Sequence, residues 1–119
     1  MSEIKRIAII GAMDCEIDNF KNMIENIEEI EIANITYYIG SLCGKNIVLL
    51  KSGIGKVNAA IATTIAIEKF NAEKIIFTGV AGSGNPDYDI SDIVISKDLI
   101  EHDFDTSALD GDELTVLVK

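Results

Sequence analysis

The stretch IAIIGAMDCEIDNF, residues 7–20, decides how this chain folds. It opens as an apolar, β-rich run and breaks at Gly11-Ala12-Met13. Ile17, Phe20 and Ile24 then recur at helical spacing. The pattern is a buried strand over residues 4–10, a turn, and an amphipathic helix from Cys15 to about Glu25. Asp14 and Glu16 stand where that helix begins. Acids there can cap free backbone N–H groups. They can also do chemistry, because open α/β sheets bind ligands at the carboxyl ends of their strands.

The rest of the chain extends the same theme. Residues 28–32, EEIEI, alternate acid and Ile and read as a half-exposed strand. Residues 35–42 and 46–50 are two β-rich runs joined around Gly44-Lys45, a hairpin. KSGIGKVNAA, residues 51–60, turns the chain, and Val57, Ala60, Ile61, Thr64 and Ile65 mark a helix to about Phe70. KIIF, residues 74–77, is a strand running directly into TGVAGSG. GNPDYDISD holds the only Pro and reads as a turn, followed by a strand at residues 92–95, DIVI, extending through Asp98. The order β-α-β-β-β-α-β-β predicts an α/β fold with a mixed, largely parallel central sheet flanked by helices on both faces. Residues 106–119 bring no closing helix, so the fold reads as incomplete at its C-terminal end. At 119 residues the chain is one domain at most.

Charge and composition exclude several functions. Ten Lys and Arg against twenty Asp and Glu give a net charge of −10, which argues against a nucleic-acid or anionic-membrane partner. No apolar run approaches the ~20 residues of a membrane span, and MSEIKR lacks a signal-peptide core, so the chain reads as cytoplasmic. Cys15 and Cys43 are far apart and form no CxxC pair, so they read as reduced thiols. GIGK is not a P-loop: Leu50 stands where the first Gly belongs and Val57 replaces the Ser or Thr. GVAGSG reverses the dinucleotide fingerprint and no helical pattern follows it. His102, the only histidine, lies in HDFD, which reads as a polar loop rather than a metal site or part of a Ser-His-Asp arrangement. No metal and no cofactor is expected.

Three glycine turns remain, GAMDCE, KSGIGKVNAA and TGVAGSG, each following an apolar strand. In this order and spacing, with DIVISKDLIEHDFDTSA downstream, they resemble the nucleoside phosphorylase and nucleosidase superfamily. Within it the resemblance is to the 5′-methylthioadenosine/S-adenosylhomocysteine nucleosidases, and it runs from about Ile7 to Ala108. It implies a hydrolase that cuts the N-glycosidic bond between adenine and a 5′-thio-substituted ribose. A carboxylate would orient and deprotonate the attacking water, and an acid would protonate the leaving purine. The family's base falls on Glu16, while Asp14 stays a cap or surface residue. At the first turn of a helix the backbone dipole favours the ionised form such a base needs. Met13 would line the ribose and thioether pocket, where a soft thioether suits an alkylthio group. Ile54 would flank the 5′-substituent, and Val80, Ala81 and Gly82 would let backbone approach the ligand. Val80 departs from the family, whose best-known members carry Ser there.

HDFDTSAL in this family reaches the neighbouring subunit's pocket, so a homodimer is implied, with Thr106 and Leu109 as candidates for the partner-facing wall. Leu109 replaces the family's usual aromatic residue. The family's chain is about twice as long, and its second half supplies the ribose-gripping carboxylate and the adenine acid. Residues 1–119 therefore read as the N-terminal part of a single nucleosidase domain. Alone it is expected to be inactive unless a second polypeptide completes it. A nucleoside phosphorylase is the first alternative, but acids in GAMDCE would repel phosphate. A non-catalytic nucleoside-binding or dimerisation module and an unrelated flavodoxin-like binding domain are the others.

Overall fold

A computed structural model describes residues 4–101, 103 and 117–118. The elements run β1 (Arg6–Gly11), α1 (Asp14–Met23), β2 (Glu25–Ile32), β3 (Ile35–Leu42), β4 (Lys45–Lys51), α2 (Lys56–Phe70) and β5 (Ala72–Phe77). Two short strands follow, β6 (Leu99–Ile100) and β7 (Leu117–Val118). The chain divides into two compact units, residues 1–81 and 82–119.

The first unit is built on a five-stranded sheet of order β2-β3-β4-β1-β5. β1 runs parallel to β4 on one side and to β5 on the other, with Ile10 level with Leu50 and with Phe77. β3 is antiparallel to β4, and β2 to β3. The mixed sheet expected from the sequence is present, parallel around β1 and antiparallel towards the β2 edge.

Alternation along β1 and β4 sends side chains to two cores. Ala8, Ile10, Val48 and Leu50 face α2 and pack with Ala62, Ala66, Phe70 and Tyr37. Ile9, Ile47 and Leu49 face α1 and pack with Ile17 and Ile24. One helix therefore covers each face. Burial of each Leu or Ile contributes about 1.5–3 kcal/mol. Tyr37 is fully buried, and its hydroxyl donates to the Ala62 carbonyl at 3.2 Å. Its ring stacks on Phe70 with centroids 4.8 Å apart. A buried phenol needs such an acceptor, and this one fastens α2 to β3. The C-terminus of α2 ends on left-handed Asn71, and Arg6 Nη1 donates to the Phe70 carbonyl at 3.1 Å. The edge strand β2 carries Glu25, Glu28, Glu29 and Glu31, charges that discourage pairing with another chain.

Three local expectations change. Helix α1 stops at Met23 instead of about Glu25, and β2 begins at Glu25 instead of 28. Ile24 is extended and buried in the α1-side core, and a bulge with Asn26 at φ 55° starts the pairing with β3 early. The β3–β4 hairpin turns at Cys43-Gly44 (φ 51° and 75°), one residue before the expected Gly44-Lys45. The run at 92–95 is not a strand. Its apolar composition suits a sheet, but a strand exists only through a ladder of hydrogen bonds. Among the described residues of the second unit the only ladder joins β6 and β7. His102, Thr106 and Leu109 lie outside the described residues. No described helix is long and apolar enough to cross a membrane.

The β2–β3 turn generates a prediction. Ala33 and Asn34 sit at φ 54° and 61°, and the left-handed region costs a residue with a Cβ about 1 kcal/mol. Ala33→Gly should raise the midpoint of urea unfolding at unchanged slope, equivalent to up to about 1 kcal/mol. Gly44→Ala should lower it, because nothing lies within 4 Å of the added methyl and only backbone strain acts.

Candidate functional site

The three glycine turns stand side by side because their strands are parallel neighbours. GAMDCE follows β1, KSGIGK follows β4 and TGVAGSG follows β5, so all three leave the same edge of the sheet. Two backbone bonds hold this edge together. The Ser52 N–H donates to the Gly11 carbonyl and the Thr78 N–H to the Ile10 carbonyl, both at 2.9 Å. The Ser52 side chain is buried there, and its hydroxyl donates to the Gly53 carbonyl at 2.9 Å.

Glu16 projects into this edge from the first turn of α1. The helix N-cap is Met13, which has no side-chain oxygen and whose carbonyl accepts the Glu16 N–H at 3.1 Å. The Glu16 side chain, three residues on, folds back over this cap. Its Oε2 accepts the Ala12 N–H at 2.6 Å and the Met13 N–H at 2.9 Å. Its Oε1 accepts the Val80 N–H at 3.3 Å, across 64 positions of sequence. Both lone pairs of Oε2 are thus engaged, while Oε1 keeps one for a further donor. The Met13 N–H above all, then those of Ala12 and Val80, holds the carboxyl below the ordinary glutamate value of 4.5, and partial desolvation opposes them. The group is an anion at neutral pH.

Of the residues singled out by sequence, Met13, Glu16 and Val80 meet directly through these bonds. Asp14 occupies the first helical position, not the cap, and pairs with Lys51 Nζ at 2.9 Å on the exposed rim. A surface pair of this kind contributes about 0–1 kcal/mol. Ile54 lies in the adjoining β4 turn between Gly53 (φ 84°) and Gly55 (φ 102°), with its side chain largely exposed. Ala81 follows Val80 on the surface, and Gly82 belongs to the second unit. Two glycines escaped the sequence reading. A Cβ on Gly79 would lie 2.6 Å from Glu16 Oε1, and one on Gly11 would lie 2.7 Å from Ile17 Cγ2 and 3.0 Å from Glu16 Cβ. In the sequence both look like ordinary turn residues. Among the described residues no three His, Cys, Asp or Glu side chains form a metal-sized cluster.

The depressed carboxyl makes stability depend on pH with a definite sign. The stabilisation by Glu16 is complete above its unfolded value and is lost as pH falls through the lower folded one. Glu16→Gln should therefore melt at lower temperature than the parent at neutral pH. The gap should narrow as pH is taken down to about 3. Thermal melts across that range check it, and a gap independent of pH would contradict the N–H cage.

Known proteins resemble this chain over most of its length. A 5′-methylthioadenosine/S-adenosylhomocysteine nucleosidase of Anoxybacillus flavithermus is 50% identical over 102 residues, 86% of this chain and 44% of the relative. The crystal structure of the Neisseria meningitidis nucleosidase of that name, in complex with methylthio-immucillin-A, superposes with a TM-score of 0.85. It is 42% identical, over 88% of this chain and 46% of that one. Futalosine hydrolase of Helicobacter pylori superposes with a TM-score of 0.83 at 36% identity, over 90% and 46% of the two chains. The chain thus spans less than half the length of these relatives. A family model described as the phosphorylase superfamily matches residues 6–116, and with the three turns assembled on one sheet edge, the chain belongs to that superfamily.

Proposed function

We propose that residues 1–119 are the N-terminal part of one nucleosidase domain. The complete enzyme hydrolyses the N-glycosidic bond of 5′-methylthioadenosine and S-adenosylhomocysteine, releasing adenine and the thioribose product. The observation that carries this reading is Glu16: an ionised carboxylate with Oε2 anchored by two N–H groups and Oε1 holding one, bonded from both the GAMDCE and the TGVAGSG turns. The names of the relatives supply the substrate class.

In this mechanism a water binds Glu16 Oε1. As the bond from the anomeric carbon to adenine lengthens, its electron pair goes to the purine and positive charge grows on the sugar. The water oxygen forms the new bond and its proton passes to Glu16. An early-departing leaving group leaves a strong electrophile, so a carboxylate of low basicity suffices to orient and deprotonate the water. The purine's proton comes from an acid supplied beyond this chain's described residues. Met13 and Ile54 give the 5′-alkylthio group an apolar wall, and the backbone at Val80, Ala81 and Gly82 admits the nucleoside closely. Thr106 and Leu109 are assigned to a partner subunit's pocket in a homodimer, on the resemblance alone. A cytoplasmic setting, and a second polypeptide as the source of the missing acid, belong to the same reading.

A fusion of this chain to the C-terminal part of the Anoxybacillus relative tests the proposal. The fused enzyme should release adenine from both nucleosides at a rate indifferent to phosphate. Glu16→Gln should lower kcat by at least about a hundredfold with the fold unchanged by circular dichroism. Full turnover in that variant would remove Glu16 from the mechanism. A rate that rises with phosphate, yielding a sugar phosphate, would identify a phosphorylase. Futalosine belongs in the same assay, because a hydrolase of that name shares the fold.

A further inference from the structure

We propose that Gly79 is a positioning residue for Glu16. By lacking a side chain it lets the end of β5 close against Oε1, so that Oε2 is held as the anchor and Oε1 is presented as the working oxygen. The proposal rests on the hydrolase reading for its consequence in turnover, and on geometry for the placement itself.

Backbone freedom does not explain this glycine. Gly53 and Gly55 take positive φ values, which a side chain would disfavour, but Gly79 does not. What Gly79 provides is space. An added Cβ would lie 2.6 Å from Oε1, 3.1 Å from Cδ and 3.5 Å from Oε2. The chain just before it is fixed, because the Thr78 N–H is bonded to the Ile10 carbonyl. The residue just after it gives its N–H to Oε1. The carboxylate can withdraw only by giving up these hydrogen bonds. Its Oε2 is tied by Ala12 and Met13, and Gly11 packs behind its stem, where an added Cβ would lie 3.0 Å from Glu16 Cβ. A methyl at position 79 must therefore break the N–H cage or push β5 away from β1.

The test uses the 119-residue chain. The Glu16 carboxyl is titrated by carbon-13 NMR in the parent, in Gly79→Ala and in Gly84→Ala, where nothing lies within 4 Å of the added methyl. We expect Gly79→Ala to move the midpoint up, towards the ordinary glutamate value, and Gly84→Ala to leave it in place. A double-mutant cycle covers the case in which Gly79→Ala is too unstable to titrate. Gly79→Ala should lower the unfolding midpoint strongly in the parent and much less in a Glu16→Ala background, where no carboxylate is present to collide. An unmoved midpoint in folded Gly79→Ala, or a loss equal in both backgrounds, overturns the proposal. In the fused enzyme Gly79→Ala should lower kcat by about tenfold to a hundredfold with KM little changed. Titration and cycle involve no turnover. If they show the coupling and the fused enzyme releases no adenine, the hydrolase reading falls and the placement of the carboxylate stands.

Discussion

Everything at the candidate site depends on β1 being held in parallel on both sides. Parallel neighbours share a direction, so β1, β4 and β5 deliver their following turns to one edge. The Ser52 and Thr78 N–H groups extend the two ladders by one bond each beyond the strands. They bring two segments more than sixty positions apart, Ala12-Met13 and Val80, within hydrogen-bond reach of a single side chain. An antiparallel neighbour on either side of β1 would send its following turn to the opposite edge.

In the proposed enzyme Glu16 serves two ends with one carboxylate. A helix start leaves N–H groups unpaired, and Met13 at the cap has no side-chain oxygen to offer them, although its carbonyl accepts the Glu16 N–H at 3.1 Å. Glu16, at the third helical position, satisfies the N–H of the cap residue Met13 and that of Ala12 just before it. The same bonds keep it ionised and fix its orientation, two properties asked of a group that activates water. Capping and catalysis are therefore not rival explanations of the acid at this turn. The bonds that cap the helix orient the carboxylate, and they spend only one of its two oxygens fully. Asp14, two residues earlier, lies on the rim and is held by Lys51.

The α2 side shows the same economy. Tyr37 spans from the antiparallel part of the sheet to the Ala62 carbonyl, and Arg6 at the start of β1 holds the last carbonyls of α2. These contacts secure the helix that follows the Gly53-Ile54-Gly55 turn. The turn itself takes a backbone shape that its two positive-φ glycines allow, with the Ile54 carbonyl accepting from Asn58 Nδ2 at 2.8 Å.

The sequence by itself determined the types and order of the first seven elements, β1 to β5 with α1 and α2, because apolar periodicities of two and 3.6 are local properties that IAIIG, NIVLL and KVNAAIATTIA carry plainly. It also marked Glu16, through the three turns taken together. Where periodicity was the only guide it erred: DIVI has a strand's composition, but no ladder incorporates it among the described residues. Tertiary structure alone decided what faces the other Glu16 oxygen, Oε1, because the Val80 N–H arrives from the turn after β5, 64 positions away. It alone decided that Gly79 and Gly11 are there for room rather than for turning. A glycine's letter is the same in both cases, and only the distance from its absent Cβ to a neighbour folded against it tells them apart.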